Sequence, residues 1–384
     1  MKILIISSLY EPYIGGGAEI SNKLLAEGLT RNGVEVEVVT LGEENKIEII
    51  NGVKIRRIYL NETLKKYLKS IKNKKIIRKS IKKDKVILYI YRVLFYFNFL
   101  YKKRIINILQ EIKPNLIHTT GIHYFFPQLW WKEANKKGIK VIHTLRDPVF
   151  LRLNKSKILS KAHREYFKKY LAKYVDLVHA PSFFMLRKHK EFGFIFKNEK
   201  VIYNTLEILP IKSTNKKYDV IYVGSLTEDK GVKILSELKI LNIKLICVGE
   251  GELRQDLEKK DIEVTGWVSK EEVYKYIQQS KILVLPSEWE EAFGRVLIEG
   301  VMNGTLVIGS NQGAIPEVLG NKKEYIFETK NIDKLYKKVK RILNLSSKEY
   351  EKEIEIMQNY MTKYNYNNHI NNFIKLYSEV LNKE

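Results

Sequence analysis

The sequence predicts an α/β protein of two doubly wound, Rossmann-like units, and three observations carry that prediction. Apolar runs of strand length alternate with amphipathic runs of helix length almost from end to end. A stretch without periodicity, residues 207–217, with Pro210 and the polar run Lys212-Ser213-Thr214-Asn215-Lys216-Lys217, divides the alternation in two. The length of 384 residues exceeds one ordinary domain and suits two of about 200.

In the first half, residues 2–8 read as a buried strand ending in Ser7 and Ser8. The loop Gly15-Gly16-Gly17-Ala18-Glu19 then opens an amphipathic helix over 18–31. Val34 to Leu41 is the next strand, followed by a turn at Asn51-Gly52. Further strands are expected at 115–119, 139–145, 175–180 and 200–203, with helical stretches between them, which is the pattern of a parallel sheet. Beyond the linker, strands are expected at 218–224, 243–249, 262–265, 281–285, 305–309 and 324–327. Helices are expected at 231–241, 270–280 and 332–344. Residues 348–383 are helical in pattern, and their end is expected to pack back on the first domain. The domains are thus 1–206, a linker 207–217, 218–360, and a returning C-terminal helix 361–384. Open sheets of this kind bind ligands at the carboxyl ends of their strands, so the two units are expected to face each other across a cleft.

Composition narrows the class. Hydrophobic residues make up 45% of the chain, enough for two cores, and the single cysteine, Cys247, excludes a disulfide framework. No apolar run reaches membrane-spanning length, and Met1-Lys2-Ile3-Leu4-Ile5-Ile6 gives way to polar residues too soon for a signal peptide. A cytosolic chain is expected. Its net charge of +24 is uneven: residues 1–210 hold 41 Lys+Arg against 18 Asp+Glu, and residues 51–110 alone hold 18 against 2.

The most informative motif runs from Glu288 to Glu299, Glu-Trp-Glu-Glu-Ala-Phe-Gly-Arg-Val-Leu-Ile-Glu, directly after the buried run Ile282-Leu283-Val284-Leu285-Pro286. It reads as strand, loop and helix N-terminus. Gly294 removes a side chain where loop becomes helix, so amides near Phe293, Gly294 and Arg295 can point at an anion. Glu291 and Glu299 place acceptor-only carboxylates on either side of that anion, and carboxylates grip hydroxyls. Hydroxyls, phosphate and hydroxyls again is the order of groups in a nucleotide-sugar. Other strand-end motifs stand in the same half: Val223-Gly224-Ser225-Leu226 with Lys230-Gly231, Val248-Gly249-Glu250-Gly251, Gly266-Trp267-Val268 and Gly313-Ala314-Ile315-Pro316-Glu317.

With those motifs in order, residues 218–320 resemble the family 4 glycosyltransferases, retaining enzymes of the two-Rossmann-domain GT-B fold. The first half agrees through the glycine loop, Ala180-Pro181-Ser182 and Val201-Ile202-Tyr203-Asn204. The resemblance implies an N-terminal acceptor domain and a C-terminal nucleotide-sugar domain. It implies that Glu291 bonds the donor sugar's hydroxyls, Glu299 the ribose, and Lys230 the diphosphate. Gly16 and Gly17 would approach the diphosphate from the first domain, while Gly224, Ser225, Gly249, Glu250, Phe293, Gly294 and Arg295 complete the donor site. It implies transfer with no cofactor beyond the donor and no metal, and no metal-ligand cluster such as Asp-x-Asp is visible in the cleft loops.

Two departures bear on the chemistry. Ser225 stands where the family usually has an arginine, so Lys230 acts beside a neutral donor, and Arg295 is the candidate to compensate. In His143-Thr144-Leu145-Arg146-Asp147-Pro148, Arg146 stands where the family has the histidine of a His-Asp pair. Arginine cannot act as a base, so Arg146 and Asp147 carry over as binding residues, with His118, His123 and His143 as alternative histidines.

Residues 61–85 interleave lysines and arginines with Leu64, Tyr67, Leu68, Ile71, Ile76, Ile77 and Ile81, and 86–101 add seven aromatic residues from Tyr89 to Tyr101. Such a region suits an anionic membrane surface through residues 51–110, with a lipid-linked glycan acceptor and a peripheral position at the inner face of the cell membrane. A solvated face over core aromatics is the other reading. Nucleic acid is not expected, because no binding module accompanies the charge. The expected function is retaining transfer of a sugar from a nucleotide-diphospho-sugar, UDP favoured, to a glycan acceptor in surface polysaccharide synthesis. A soluble polysaccharide or sugar-phosphate synthase and a catalytically silent nucleotide-sugar-binding protein stay open beside it.

Overall fold

The computed structural model describes residues 1–72, 99–121, 127–146, 157–206 and 215–382. Asp147, His123, residues 207–214 of the expected linker and residues 73–98 of the basic stretch lie outside them. The chain forms two compact units. One comprises Met1–Pro181, Met185–Ile202 and His369–Glu384, the other Ser182–Phe184 and Tyr203–Asn368.

The first unit is built on β1 (Lys2–Ile6), β2 (Glu35–Leu41), β3 (Lys46–Ile50), β4 (Val53–Ile58), β5 (Leu116–Thr119), β6 (Lys140–Thr144), β7 (Leu177–Ala180) and β8 (Glu199–Val201). They form one sheet in the order β3-β4-β2-β1-β5-β6-β7-β8. The almost unbroken apolar run of β1 fits its place at the centre, where Ile3 lies between Val36 of β2 and Leu116 of β5. A wholly parallel sheet was the expectation, and β3 departs from it by pairing antiparallel to β4. Asn51 and Gly52, both at positive φ (51° and 81°), form the two-residue hairpin that reverses the chain there.

Within the basic stretch, several charges are bound internally. Arg56 pairs with Glu37 at 2.9 Å and Glu111 at 2.6 Å, and the buried Arg57 pairs with Glu48 at 2.7 Å. The helix α2 (Glu62–Lys72) buries Leu64 and Leu68 in the unit and leaves Lys66, Lys69 and Lys72 exposed. Those two leucines therefore belong to the protein core and are not available to lipid.

The second unit carries β9 (Tyr218–Val223), β10 (Leu245–Val248), β11 (Glu263–Val264), β12 (Ser280–Leu285), β13 (Leu306–Ser310) and β14 (Ile326–Phe327). Their order is β11-β10-β9-β12-β13-β14, every pairing parallel. The helix Lys270–Gln278 starts in a capping box, Ser269 with Glu272, and the helix Ser347–Met361 in another, Ser346 with Glu349. The expected α-helix at 231–241 is a 3₁₀ helix, Val232–Leu241. Its buried residues Val232, Leu235 and Leu238 recur every third position, which matches three residues per turn. The helical stretch expected over 348–383 comprises two helices, Ser347–Met361 and Tyr366–Leu381, separated by a 3₁₀ turn at Thr362–Tyr364. Thr205 donates to the Tyr364 carbonyl at 2.6 Å and holds that turn. Lys216 donates to the carbonyls of Ser280 (2.8 Å) and Gly304 (2.7 Å), and burial pushes its pKa down to about 8.

From His369 onward the last helix belongs to the first unit. There Tyr377 donates to His118 Nδ1 at 2.7 Å, and the His118 ring stacks on Phe373.

Candidate functional site

In the second unit, the loops at the carboxyl ends of β9, β12 and β13 are bound to one another through their main chains. The β12 loop, Pro286 to Gly294, leads into helix α9 (Arg295–Met302); in chain order the intervening helices are α3 (Phe99–Ile112), α4 (Pro127–Asn135), α5 (Lys157–Tyr174), α6 (Phe183–Glu191), α7 (Arg254–Glu258) and α8 (Lys270–Gln278). Glu288 and Trp289 donate to the Asp229 carbonyl at 3.0 and 2.9 Å, beside Lys230. Ala314 donates to the Glu291 carbonyl at 2.8 Å. Gly313, at φ 61°, makes that approach possible: a Cβ there would lie 2.3 Å from the nitrogen and the oxygen of Glu291. Ser182 Oγ donates to the Ala292 carbonyl at 2.8 Å.

Gly294 caps the helix in the left-handed conformation, φ 81° and ψ 45°. The amides of Ala292, Phe293, Gly294 and Arg295 donate to no acceptor among the described residues. Unengaged amides at the positive end of a helix dipole are able to receive an anion.

Two ion pairs flank it. Lys230 Nζ lies 2.6 Å from Glu291 Oε1, an oxygen that also accepts from Ser287 Oγ at 2.9 Å. Arg295 Nε lies 3.3 Å from Glu299 Oε1, and both side chains are largely buried. The other two guanidinium nitrogens of Arg295 are buried without a partner among the described residues. An arginine in the first turn also opposes the helix dipole, so its charge is poorly compensated there. Lys230, Glu291, Phe293, Gly294, Arg295 and Glu299 are thus brought together at the carboxyl end of β12. The role of Ser287 was missed, and nothing in its spacing marked it.

The remaining predicted donor residues sit on the β9 and β10 loops. Tyr222 donates to the Ser225 carbonyl at 2.8 Å, and burial pushes the Tyr222 hydroxyl well above its ordinary range. Gly224 donates to the Val248 carbonyl and Leu226 to that of Glu250, at 3.0 and 2.9 Å, so the loops holding Gly224, Ser225, Gly249 and Glu250 run side by side. The Glu250 carboxylate pairs with Arg254 at 2.7 Å.

In the first unit, Gly16 is extended and exposed, and Gly17 begins helix α1 (Gly17–Arg31). Arg146, just past β6, donates through Nε to Thr120 Oγ1 at 2.6 Å. Thr120 donates to Asn22 Oδ1 at 3.0 Å, and Asn22 to Ser7 Oγ at 2.9 Å. This network ties the carboxyl ends of β1, β5 and β6 to α1. Asn22 and Thr120 carried no sequence signal, since polar residues on a helix and at a strand end are ordinary.

Of the alternative histidines, His118 and His143 are buried among internal partners, and His123 lies outside the described residues. His118 is fully buried between Tyr377 and Thr144, and burial, with His179 nearby, holds its pKa well below the usual value. His143 is buried against Thr119 at 2.9 Å. His179 Nε2 faces the Ile202 carbonyl at 2.9 Å and must carry a proton there, so its Nδ1 accepts from Thr144. The bonds then run one way, from Tyr377 through His118 and Thr144 to His179 and Ile202.

Among the described residues no helix is long and apolar enough to cross a membrane, and no group of three His, Cys, Asp or Glu is placed to hold a metal.

Known proteins share this sequence pattern and fold. A 42.6 kDa protein of the cps region of Klebsiella pneumoniae is 31% identical over 83% of this chain and 87% of its own. A glycosyltransferase of Methanocaldococcus jannaschii is 26% identical over 90% of this chain and 89% of its own. The fold matches sucrose-phosphate synthase from Thermosynechococcus elongatus with a TM-score of 0.75 at 16% identity, over all of both chains. It matches Anabaena HepE in complex with UDP-glucose at 0.70 and 15%, over 99% and 100%. Both are two-domain Rossmann-like proteins of GT-B type, as this chain is. Residues 207–367 match the family model described as Glycosyl transferases group 1. With residues 15–208 matching the model described as Glycosyltransferase Family 4, the chain belongs to the family 4 glycosyltransferases.

Proposed function

We propose that this glycosyltransferase moves a sugar, with retention of anomeric configuration, from a nucleotide-diphospho-sugar to a glycan acceptor in surface polysaccharide synthesis. The observation that carries the donor class is the set of unengaged amides from Ala292 to Arg295, flanked by Lys230–Glu291 on one side and Arg295–Glu299 on the other. Amides and Lys230 take the diphosphate and stabilise charge as the glycosidic bond breaks. Glu291 holds the donor sugar's hydroxyls and Glu299 the ribose. The acceptor hydroxyl attacks the oxocarbenium-like centre from the face the diphosphate leaves, and its proton passes to the departing phosphate.

UDP is the favoured nucleotide, in keeping with HepE, which has been solved with UDP and with UDP-glucose. The cps-region relative supports the polysaccharide setting. Catalysis is proposed to need neither cofactor nor metal, so activity should survive EDTA. A thermal-shift panel of UDP-, GDP- and ADP-sugars tests the donor. A ligand at 100 times its dissociation constant adds about 2.7 kcal/mol to the folded state, and no shift with any of the three would overturn the donor class.

The acceptor is proposed to be lipid-linked and presented at the cytoplasmic face of the membrane. The exposed lysines of α2 supply electrostatic attraction, each basic side chain near an anionic surface contributing about 1 kcal/mol. Flotation with anionic but not neutral liposomes is expected. Equal flotation with both would end the membrane reading.

A further inference from the structure

We propose that Ser182 is a positioning residue for the anion: its hydroxyl sets the peptide plane that aims the Phe293 amide. The inference rests on the diphosphate reading and names a residue, within the same unit, that the reading does not use.

Ser182 is fully buried, and its Oγ donates to the Ala292 carbonyl at 2.8 Å. In a trans peptide the C=O and N–H bonds point in opposite directions. A donor fixed on the Ala292 oxygen therefore fixes the Phe293 N–H on the other side of the plane. It also draws electron density toward that oxygen, which makes the same peptide's N–H a stronger donor. The preceding peptide is treated alike, because Ala314 donates to the Glu291 carbonyl at 2.8 Å and leaves the Ala292 N–H opposite. Two successive amides are held before Gly294 turns the chain into helix α9.

Ser182 is itself held. Glu317, from the Gly313–Glu317 motif, accepts from the amides of Phe183 at 2.8 Å and Phe184 at 2.9 Å. Those residues and Ser182 belong to the second unit, although the rest of α6 belongs to the first. The Phe293 ring is buried 6.1 Å from that of Tyr203 and 5.5 Å from that of Tyr364, so side chain and main chain are fixed together. Glu317 thus locks the turn that places Ser182, and Ser182 locks the peptide that faces the anion. This gives the Ala180-Pro181-Ser182 motif a task that the sequence did not assign.

The test compares Ser182→Ala and Ser182→Thr with the parent chain by titration with UDP and uridine, and by kcat and KM for the donor. Ser182→Ala should bind UDP roughly five- to ten-fold more weakly, in line with the loss of one hydrogen bond, while uridine affinity is unchanged. Ser182→Thr, which keeps the hydroxyl, should restore UDP affinity to within two-fold. Parent-like UDP binding by Ser182→Ala, or equal loss of UDP and uridine, would overturn the proposal, since a merely structural role would not single out the phosphates. Should Ser182→Ala fail to fold, Ser182→Cys, a weaker donor of similar size, carries the same comparison. If the parent itself binds no UDP, GDP or ADP, the diphosphate reading fails instead.

Discussion

Lys230 Nζ lies 2.6 Å from Glu291 Oε1, so the cation proposed for the diphosphate and the carboxylate proposed for the donor sugar are joined to each other. On the proposed reading, a diphosphate at the neighbouring amides would compete for Lys230 and release Glu291 toward hydroxyls. Glu291→Ala is therefore expected to lower kcat by about two to three orders of magnitude while the UDP dissociation constant moves by no more than about three-fold. Lys230→Ala should weaken UDP and slow turnover together. Lost UDP binding with kcat preserved in Glu291→Ala would remove the role assigned to that carboxylate.

Arg295 is a largely buried cation with two nitrogens that have no partner among the described residues. Replacing it by Met keeps much of the volume but leaves the largely buried Glu299 carboxylate without its cationic partner. Thermal stability should fall by about 3 kcal/mol, and UDP affinity should drop about ten-fold. Differential scanning calorimetry and calorimetric titration measure the two. Unchanged UDP affinity would confine Arg295 to holding Glu299.

Gly313 admits no side chain, because a Cβ would collide with the backbone of Glu291 and its φ is positive. Gly313→Ala is expected to cost about 2–4 kcal/mol of stability and to disturb the amides that follow Glu291. Denaturant unfolding and UDP titration should both register the change. A variant of parental stability would contradict the close packing of the two loops.

Acid should weaken the first unit through His179, whose pKa burial pushes from 6.5 down to about 3. Between those values the unfolded chain takes up a proton that the folded chain refuses, so stability is complete above pH 6.5 and falls as pH drops toward 3. The slope is about 1.4 kcal/mol per pH unit for this residue. His179→Leu should flatten the fall in melting temperature between pH 6.5 and 4.5. A slope equal to the parent's would show that His179 does not carry it.

Much of the second unit could be read from the chain because its strands are continuous apolar runs and its loops carry glycines at fixed places. Gly294 and the spacing from Glu291 to Glu299 marked the loop where the anion site is proposed, since only particular residues serve at a loop that becomes a helix. Ser287, Ser182, Thr120 and Asn22 were not marked in the same way. A serine or threonine near a strand end is ordinary, and its partner lies up to 110 residues away in the case of Ser182 and Ala292. The helix expected at 231–241 is present, and its 3₁₀ form was not legible because apolar residues at that density also satisfy an α-helical face.

The amino-acid order alone determined the α/β class, the alternation behind both sheets, and the chemical kinds gathered at the carboxyl end of β12, because periodicity and main-chain permission are local properties. Tertiary structure decided the rest: the antiparallel β3, the pairing of Lys230 with Glu291, the burial of Arg295 and of His118, and the hydroxyl of Ser182 on the Ala292 carbonyl. Each depends on which distant segments pack together, and packing is settled by shape and by the need to satisfy buried polar groups once the whole chain has closed.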